Sequence, residues 1–201
     1  MTPFTTLRSV AAPLLEDNID TDVIFPARFL LLLDKAGLGA HAFHDRQFAP
    51  DGTEHASFVL NQPQYREAQI LLAGANFGSG SSREQAVWCL ADRGIRCVIA
   101  VSFGDIFAAN CVSNGVLAIR MPRETIALYA ADAQAGAMVD VDLGTQRIAS
   151  PSAGSTTFEI GAEAREMLLR GWDATQRIVQ TQLPAIAAFE AAHRAAQPWL
   201  F

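Results

Sequence analysis

The sequence predicts an α/β fold, a small parallel βαβ core with antiparallel strands added to it. Three short apolar runs carry the first half of that reading: "QILLA" (Gln69–Ala73), "CVIAV" (Cys97–Val101) and "VLAI" (Val116–Ile119), separated by segments with helical apolar spacing. Downstream the period changes to two, as in "MVDVDL" (Met138–Leu143), which marks half-buried strands. The 201 residues are 50% hydrophobic and 18% charged, enough to bury one sizeable core. Strands before and after the βαβ core point to a layered β/β/α domain rather than an open doubly wound sheet.

Taken in order, a first strand is expected around Thr5–Ala12, closed by Pro13. "EDNIDTDVIFPARFL" (Glu16–Leu30) begins as an Asx-rich loop, and Pro26 then opens a short apolar helix over Ala27–Leu33. Residues 37–63 mix Gly, Pro and His without a period and read as an excursion of short helices and loops. Ile70–Ala73 is a buried strand. Ser82–Arg93 is a helix stopped by Gly94, with Val87, Leu90 and Ala91 on one face. After the Cys97–Val101 strand, Phe103–Ser113 is a helix with Phe103, Ile106 and Phe107 on its buried face. Pro122 opens a third helix running to about Gln134. "TQRIAS" and "TTFEI" add strands. Ala162–Leu169 is a short helix ending at Gly171, and Leu183–Ala196 is a terminal amphipathic helix that packs on the core. The chain is expected to form a single domain over residues 1–201.

The net charge is −6 and no Lys/Arg cluster occurs, which argues against nucleic-acid or membrane-surface partners. The start lacks a basic head and an apolar h-region, and "FLLLL" is too short to cross a bilayer, so a cytoplasmic chain is expected. Cys89, Cys97 and Cys111 are separated by seven and thirteen residues and contain no CxxC pair. They match no zinc or iron–sulfur ligand set and read as buried reduced thiols. His41 and His44, three apart with Asp45 nearby, could form a metal site, but solvated or packed histidines are the plainer reading.

The chemistry concentrates in "NFGSGSSREQA" (Asn76–Ala86). Read locally, Ser81 and Glu84 form a Ser-x-x-Glu capping box, and Gly78 and Gly80 permit the turn from strand to helix. That leaves Asn76, Ser82 and Arg83 unexplained. A cation in the first turn of a helix opposes the helix dipole unless it serves a ligand. Free backbone N–H groups around Asn76, Gly78 and Gly80, two hydroxyls and a guanidinium together make an anion cradle. The phosphate motifs do not fit: Ser81 stands where a P-loop needs Lys, and Arg83 where the dinucleotide fingerprint needs Gly. No Gly-x-Ser-x-Gly elbow occurs. A carboxylate held by the Arg83 fork is the remaining candidate. A serine beside that guanidinium has its alkoxide favoured, and so can take a proton from carbon next to the carboxylate.

"NFGSGSSREQA" resembles the Gly-Ser-Ser-Arg-Glu-His signature of the aconitase superfamily's swivelling domain. "DNIDTDVIFPARFL", "SFVLNQPQY", "ILLAGANFGSGSSRE", "VIAVSFGDIF" and "IAAFEA" resemble, in order, the 3-isopropylmalate dehydratase small-subunit family. The resemblance implies a swivelling β/β/α domain, like an aconitase C-terminal domain. It implies a hydro-lyase that interconverts 2- and 3-isopropylmalate, a small hydroxy-diacid, by dehydration and rehydration in leucine biosynthesis. It also implies a partner, the large subunit, with a [4Fe–4S] cluster that acts as Lewis acid there, and no cofactor bound by this chain. Residue by residue, Ser81 matches the superfamily's serine base, and Ser82 and Arg83 its carboxylate binders. Asp22 lies in the "DTD" stretch near the superfamily's active site, and Arg28 beside the loop that shapes substrate choice. Against those roles stand an Asx turn for Asp22 and a surface position for Arg28. Gln85 replaces the motif's usual His, and "GWDATQRIV" departs from the family's C-terminal run. These departures keep two alternatives open: a paralogous dehydratase for another branched hydroxy-diacid, and a non-catalytic carboxylate-binding module.

Overall fold

The computed structural model describes residues 1–32 and 34–201. Its strands are β1 (Thr6–Leu14), β2 (Ile70–Ala73), β3 (Cys97–Ala100), β4 (Leu117–Arg120), β5 (Met138–Asp142), β6 (Arg147–Ser150) and β7 (Gly154–Thr157). Its helices are α1 (Thr21–Ile24), α2 (His44–Gln47), α3 (Gln85–Asp92), α4 (Asp105–Ser113), α5 (Arg123–Gln134), α6 (Ala162–Arg170) and α7 (Ala174–Ala196). β2 and β3 are buried at every position, which is why they read as unbroken apolar runs.

The seven strands form one mixed sheet in the order β4-β3-β2-β1-β5-β6-β7. β1 is its pivot. Thr6–Val10 pairs antiparallel with β5, and Ala11–Leu14 pairs parallel with β2, with Pro13 opposite Leu72. Pro13 therefore lies inside the strand instead of closing it. It is tolerated because the β5 pairing has already ended at Val10, so the missing N–H interrupts no ladder on that side. β5, β6 and β7 form an antiparallel meander; β5 and β6 are signalled by the period of two, whereas β7 lies at Gly154–Thr157, two residues before the expected start of the "TTFEI" strand. α5 packs across β1, β2, β3 and β5, and buries Tyr129, whose Oη donates to the Ile148 carbonyl at 3.3 Å. Asp132, also on α5, accepts from Ser150 Oγ and from the backbone N–H groups of Ser152 and Ala153, pinning the β6–β7 turn.

Several boundaries differ from the sequence expectation, each for a physical reason. The segment after Pro26 forms one 3-10 turn, Ala27–Phe29, rather than a longer helix; Leu33, the expected helix end, lies outside the described residues. α4 starts at Asp105, and its buried face is Phe107 and Cys111, four apart. Ile106 falls outside that stripe and is 56% exposed. The C-terminal helix begins nine residues before Leu183, because Asp173 and Gln176 form a reciprocal capping box. Pro184 sits inside it, where surrounding water can satisfy the carbonyl its missing N–H leaves free. No residue of α7 is buried, so this helix does not pack on the core as expected. Ile178, Leu183 and Phe189 face solvent, as do Trp199 and Phe201 just beyond its end. Among the described residues no helix is long and apolar enough to cross a membrane.

Candidate active site

β1, β2 and β3 run parallel, so their C-terminal ends deliver three loops to one edge of the sheet, the usual place for ligands in such folds. The loops are laced together by backbone bonds. Asn18 N–H donates to Ala75 O at 2.8 Å, Gly78 N–H to Ile19 O at 2.7 Å and Thr21 N–H to Ser79 O at 2.8 Å. On the other side Phe77 N–H donates to Ser102 O at 3.0 Å and Gly104 N–H to Phe77 O at 2.9 Å. The Gly-Ser loop after β2 is thus clamped between the loops after β1 and β3. Phe77 anchors it from below. Its ring is fully buried and meets Phe107 edge-on at 5.5 Å. Gly78 has φ +70° and Gly80 φ +96°, both in the region that side chains rarely adopt.

The capping box expected at Ser81 and Glu84 is absent. α3 begins at Gln85, and its N-cap is Glu84 in αR conformation without a side-chain cap bond. Glu84 Oε1 instead accepts from Asn114 Nδ2 at 2.8 Å, and Asn114 in turn accepts from Lys35 Nζ at 3.2 Å. Ser81 to Arg83 therefore precede the helix rather than start it. Their geometry is set by tertiary contacts, and Arg83 is not in a helical first turn. Ser81 and Ser82 are exposed.

Arg83 and Asp22 meet across 61 residues. The guanidinium donates from Nη1 to Asp22 Oδ1 and from Nη2 to Oδ2 at 2.9 Å, a bidentate pair. This bond, more than anything else, holds the Asp22 carboxyl below the usual carboxylate range. Asp22 Oδ1 also accepts from Ala27 N–H at 3.2 Å, tying the Pro26 turn to the same pair. Two of Arg83's five N–H groups are spent here, and the other three have no partner among the described residues. Asn76 and Gly78, expected in the cradle, use their own N–H groups within the fold. The Asn76 N–H donates to Ser102 Oγ at 2.8 Å, that of Gly78 to Ile19 O. Asn76 Nδ2 donates to Asn18 Oδ1 at 2.9 Å.

Arg28 is drawn to a neighbouring cluster. It donates to both Asp45 carboxylate oxygens and lies 3.0 Å from His44 Nδ1. The Asp45 carboxylate raises the pKa of Arg28, and Arg28 lowers that of Asp45. Phe29 stacks on His41 with ring centroids 4.2 Å apart, so the histidines of this segment pack as rings. Burial, aided by the charges of His44 and Arg28, lowers the His41 pKa. Arg28, His44, Asp45, Phe48 and His55 line an open cleft of about 630 Å³.

Thr21 carries no motif of its own, and sequence reasoning does not single it out. Only 2% exposed, it places Oγ1 3.2 Å from Ser81 O and 3.3 Å from Ser81 Oγ. Its one sequence signal is its position between the two aspartates of "DTD". The three cysteines are buried and pushed well above the ordinary thiol range by desolvation, which does not suit thiolate ligands. Among the described residues no group of three or more His, Cys, Asp or Glu side chains could hold a metal ion.

The comparisons with known proteins define first a class. The Aconitase C-terminal domain family matches residues 1–124, the stretch that contains all three site loops. A second family, the C-terminal domain of the 3-isopropylmalate dehydratase small subunit, matches residues 183–201. Curated relatives cover the whole chain. The 3-isopropylmalate dehydratase small subunit of Jannaschia sp. is 48% identical over 202 residues, covering 100% of both chains. That of Rhodospirillum centenum is 50% identical over 201 residues, covering 99% of this chain and 98% of its own. The crystal structure of a 3-isopropylmalate dehydratase from Methanocaldococcus jannaschii superposes with a TM-score of 0.67 at 26% identity, covering 91% of this chain and 99% of that one. The chain belongs to the 3-isopropylmalate dehydratase small-subunit family.

Proposed function

We propose that this chain is the small subunit of a cytoplasmic hydro-lyase that interconverts 2- and 3-isopropylmalate in leucine biosynthesis, and that Ser81 is its base. The observation that carries this is the loop that holds an exposed Ser81, bonded to Thr21, two residues from a guanidinium pre-oriented by Asp22, the residue next to Thr21, in a chain of this family. Arg83 holds one substrate carboxylate through its three remaining N–H groups, and the Ser82 hydroxyl donates to the same anion. Ser81, as its alkoxide, takes the proton from the carbon next to that carboxylate. The C–H electron pair forms the double bond as hydroxide leaves the neighbouring carbon; proton and hydroxide together are the water lost. Water returns with its hydroxyl on the other carbon. A [4Fe–4S] cluster on the large subunit supplies Lewis-acid assistance to the departing hydroxyl. Arg28, next to the turn that Ala27 N–H ties to Asp22, contributes to the choice of substrate.

An exposed Ser81 and Ser82 also account for the need for a second chain. A proton transfer from carbon is favoured by shielding from bulk water, which strengthens the charges that assist it, and this chain alone leaves Ser81 and Ser82 exposed. The full-length relatives favour this reading over a paralogous dehydratase or a stand-alone binding module. Ser81→Ala, co-expressed with the large subunit, tests it: turnover is lost while the complex still assembles. Near-normal turnover would remove Ser81 from its role.

A further inference from the structure

We infer that Thr21 is the positioning residue for Ser81, its hydroxyl donating to Ser81 Oγ in the deprotonated form; this rests on the reading of Ser81 as base. Thr21 is 2% exposed, and its place is fixed from both sides by backbone bonds. Its N–H donates to Ser79 O at 2.8 Å, and its carbonyl accepts from Phe25 N–H at 2.9 Å. The residue before it, Asp20, caps the same turn by accepting from Val23 N–H at 2.8 Å. Gly80 makes the approach possible, since a Cβ there would already stand 3.3 Å from Thr21 Oγ1.

A threonine hydroxyl has one proton. Two acceptors compete for it here, Ser81 O at 3.2 Å and Ser81 Oγ at 3.3 Å. While Ser81 keeps its own proton, the two are nearly equivalent by distance. Once Oγ carries a negative charge it is much the stronger acceptor, and charge-assisted O–H···O bonds contract. The other charged groups around the loop have assigned partners: Arg83 with Asp22, Glu84 with Asn114, Asp20 with the Val23 N–H. Thr21 is the buried hydroxyl bonded to Ser81 itself. A donor to the charged form favours that form, so Thr21 both aims Ser81 Oγ and makes its alkoxide easier to reach.

Three variants in the complex with the large subunit, assayed on 2-isopropylmalate, decide this by separating hydroxyl from shape. Thr21→Val keeps the shape and loses the hydroxyl, Thr21→Ser keeps the hydroxyl and loses the methyl, and Thr21→Ala loses both. The inference requires Val and Ala to lower kcat by about 10- to 100-fold with KM nearly unchanged, the range expected for losing a hydrogen bond to a charged group. Ser must stay within a few-fold of wild type. A grouping by shape, with Val active and Ser and Ala impaired, overturns it, as does equal impairment of all three. Should the valine variant fail to fold, the Ser and Ala pair decides the same question. If Ser81→Ala abolishes turnover while Thr21→Val and Thr21→Ala keep wild-type kcat, the Thr21 inference alone fails. If Ser81→Ala keeps turnover, the reading of Ser81 fails first.

Discussion

Gly78→Ala should be among the most damaging single-methyl additions in this protein, and the reason divides into two measurable parts. Gly78 has φ +70°, where an L side chain costs about 1–2 kcal/mol. The added Cβ would also lie 2.5 Å from both Cδ atoms of Phe107 and closer still to its Cγ, against an ordinary carbon separation of about 3.5–4 Å. The ring has little room to withdraw. It is 2% exposed and is packed by Phe77 edge-on at 5.5 Å and by Phe103 at 6.4 Å. Overpacking of this kind costs about 1–3 kcal/mol, so the total loss is about 2–5 kcal/mol. Gly136→Ala is the control. Its φ is +81°, and nothing lies within 4 Å of a Cβ there, so it should cost only the backbone part. Urea unfolding of both variants gives the difference, and Phe107→Ala completes a double-mutant cycle. In the Phe107→Ala background Gly78→Ala should fall to the Gly136→Ala value. Equal costs for Gly78→Ala and Gly136→Ala, or a Gly78→Ala cost that ignores Phe107, would refute the packing argument.

Two further outcomes follow from the same geometry. Arg28→Ala breaks a half-exposed ion pair and should change unfolding free energy by no more than about 1 kcal/mol, yet shift the kcat/KM ratio between malates with different alkyl groups about tenfold; an unchanged ratio removes Arg28 from substrate choice. The Asp132 carboxyl is held at about 2, below its ordinary value of 3.8, chiefly by the Ser150 and Ser152 hydroxyls. Its folded pKa is depressed, so its contribution to stability is complete above 3.8 and is lost as pH falls toward about 2. Asp132→Asn should therefore unfold at lower urea than wild type at neutral pH, with the gap narrowing near pH ~3; a gap independent of pH contradicts this.

What was legible in the sequence is what short-range rules decide. β2 and β3 announce themselves because both faces are covered, so four consecutive residues must be apolar. β5 and β6 show their period because one face is covered, while β7 has no buried residue and shows none. The errors arise where a distant residue overrides a local rule. Ser81 and Glu84 have the spacing of a capping box, but Asn114, thirty residues on, takes the Glu84 carboxylate, and the helix starts later. Pro13 looks like a strand end until the early departure of β5 makes it harmless. Ile106 satisfies a helical period counted from Phe103, a residue that precedes the helix. In the candidate site, the glycines, serines and arginine stand out by composition. Thr21 does not, because its meaning lies in a contact sixty residues away.

The same distance effect sorts two residues that the sequence places together. Asp22 and Arg83 are both expected at the substrate, Arg83 as a binder of its carboxylate, a group that the Asp22 carboxylate would repel. In the structure the Asp22 carboxylate is itself taken up by the Arg83 guanidinium. Arg83's side chain is 18% exposed and Asp22's is 55% exposed, so the cation is pressed into the loop and its fork is held by the more exposed anion. An arginine so held loses little further rotamer freedom when a ligand arrives, which lowers the entropic cost of binding. In the proposed reaction Asp22 therefore serves the substrate through Arg83, and the anion is met by Arg83 and Ser82 rather than by Asp22. Removing Asp22's charge would free the fork and disorder it at once, so an Asp22→Asn variant gains an electrostatic advantage and loses a geometric one. Catalysis that depends on near-attack geometry responds to the second more steeply than to the first.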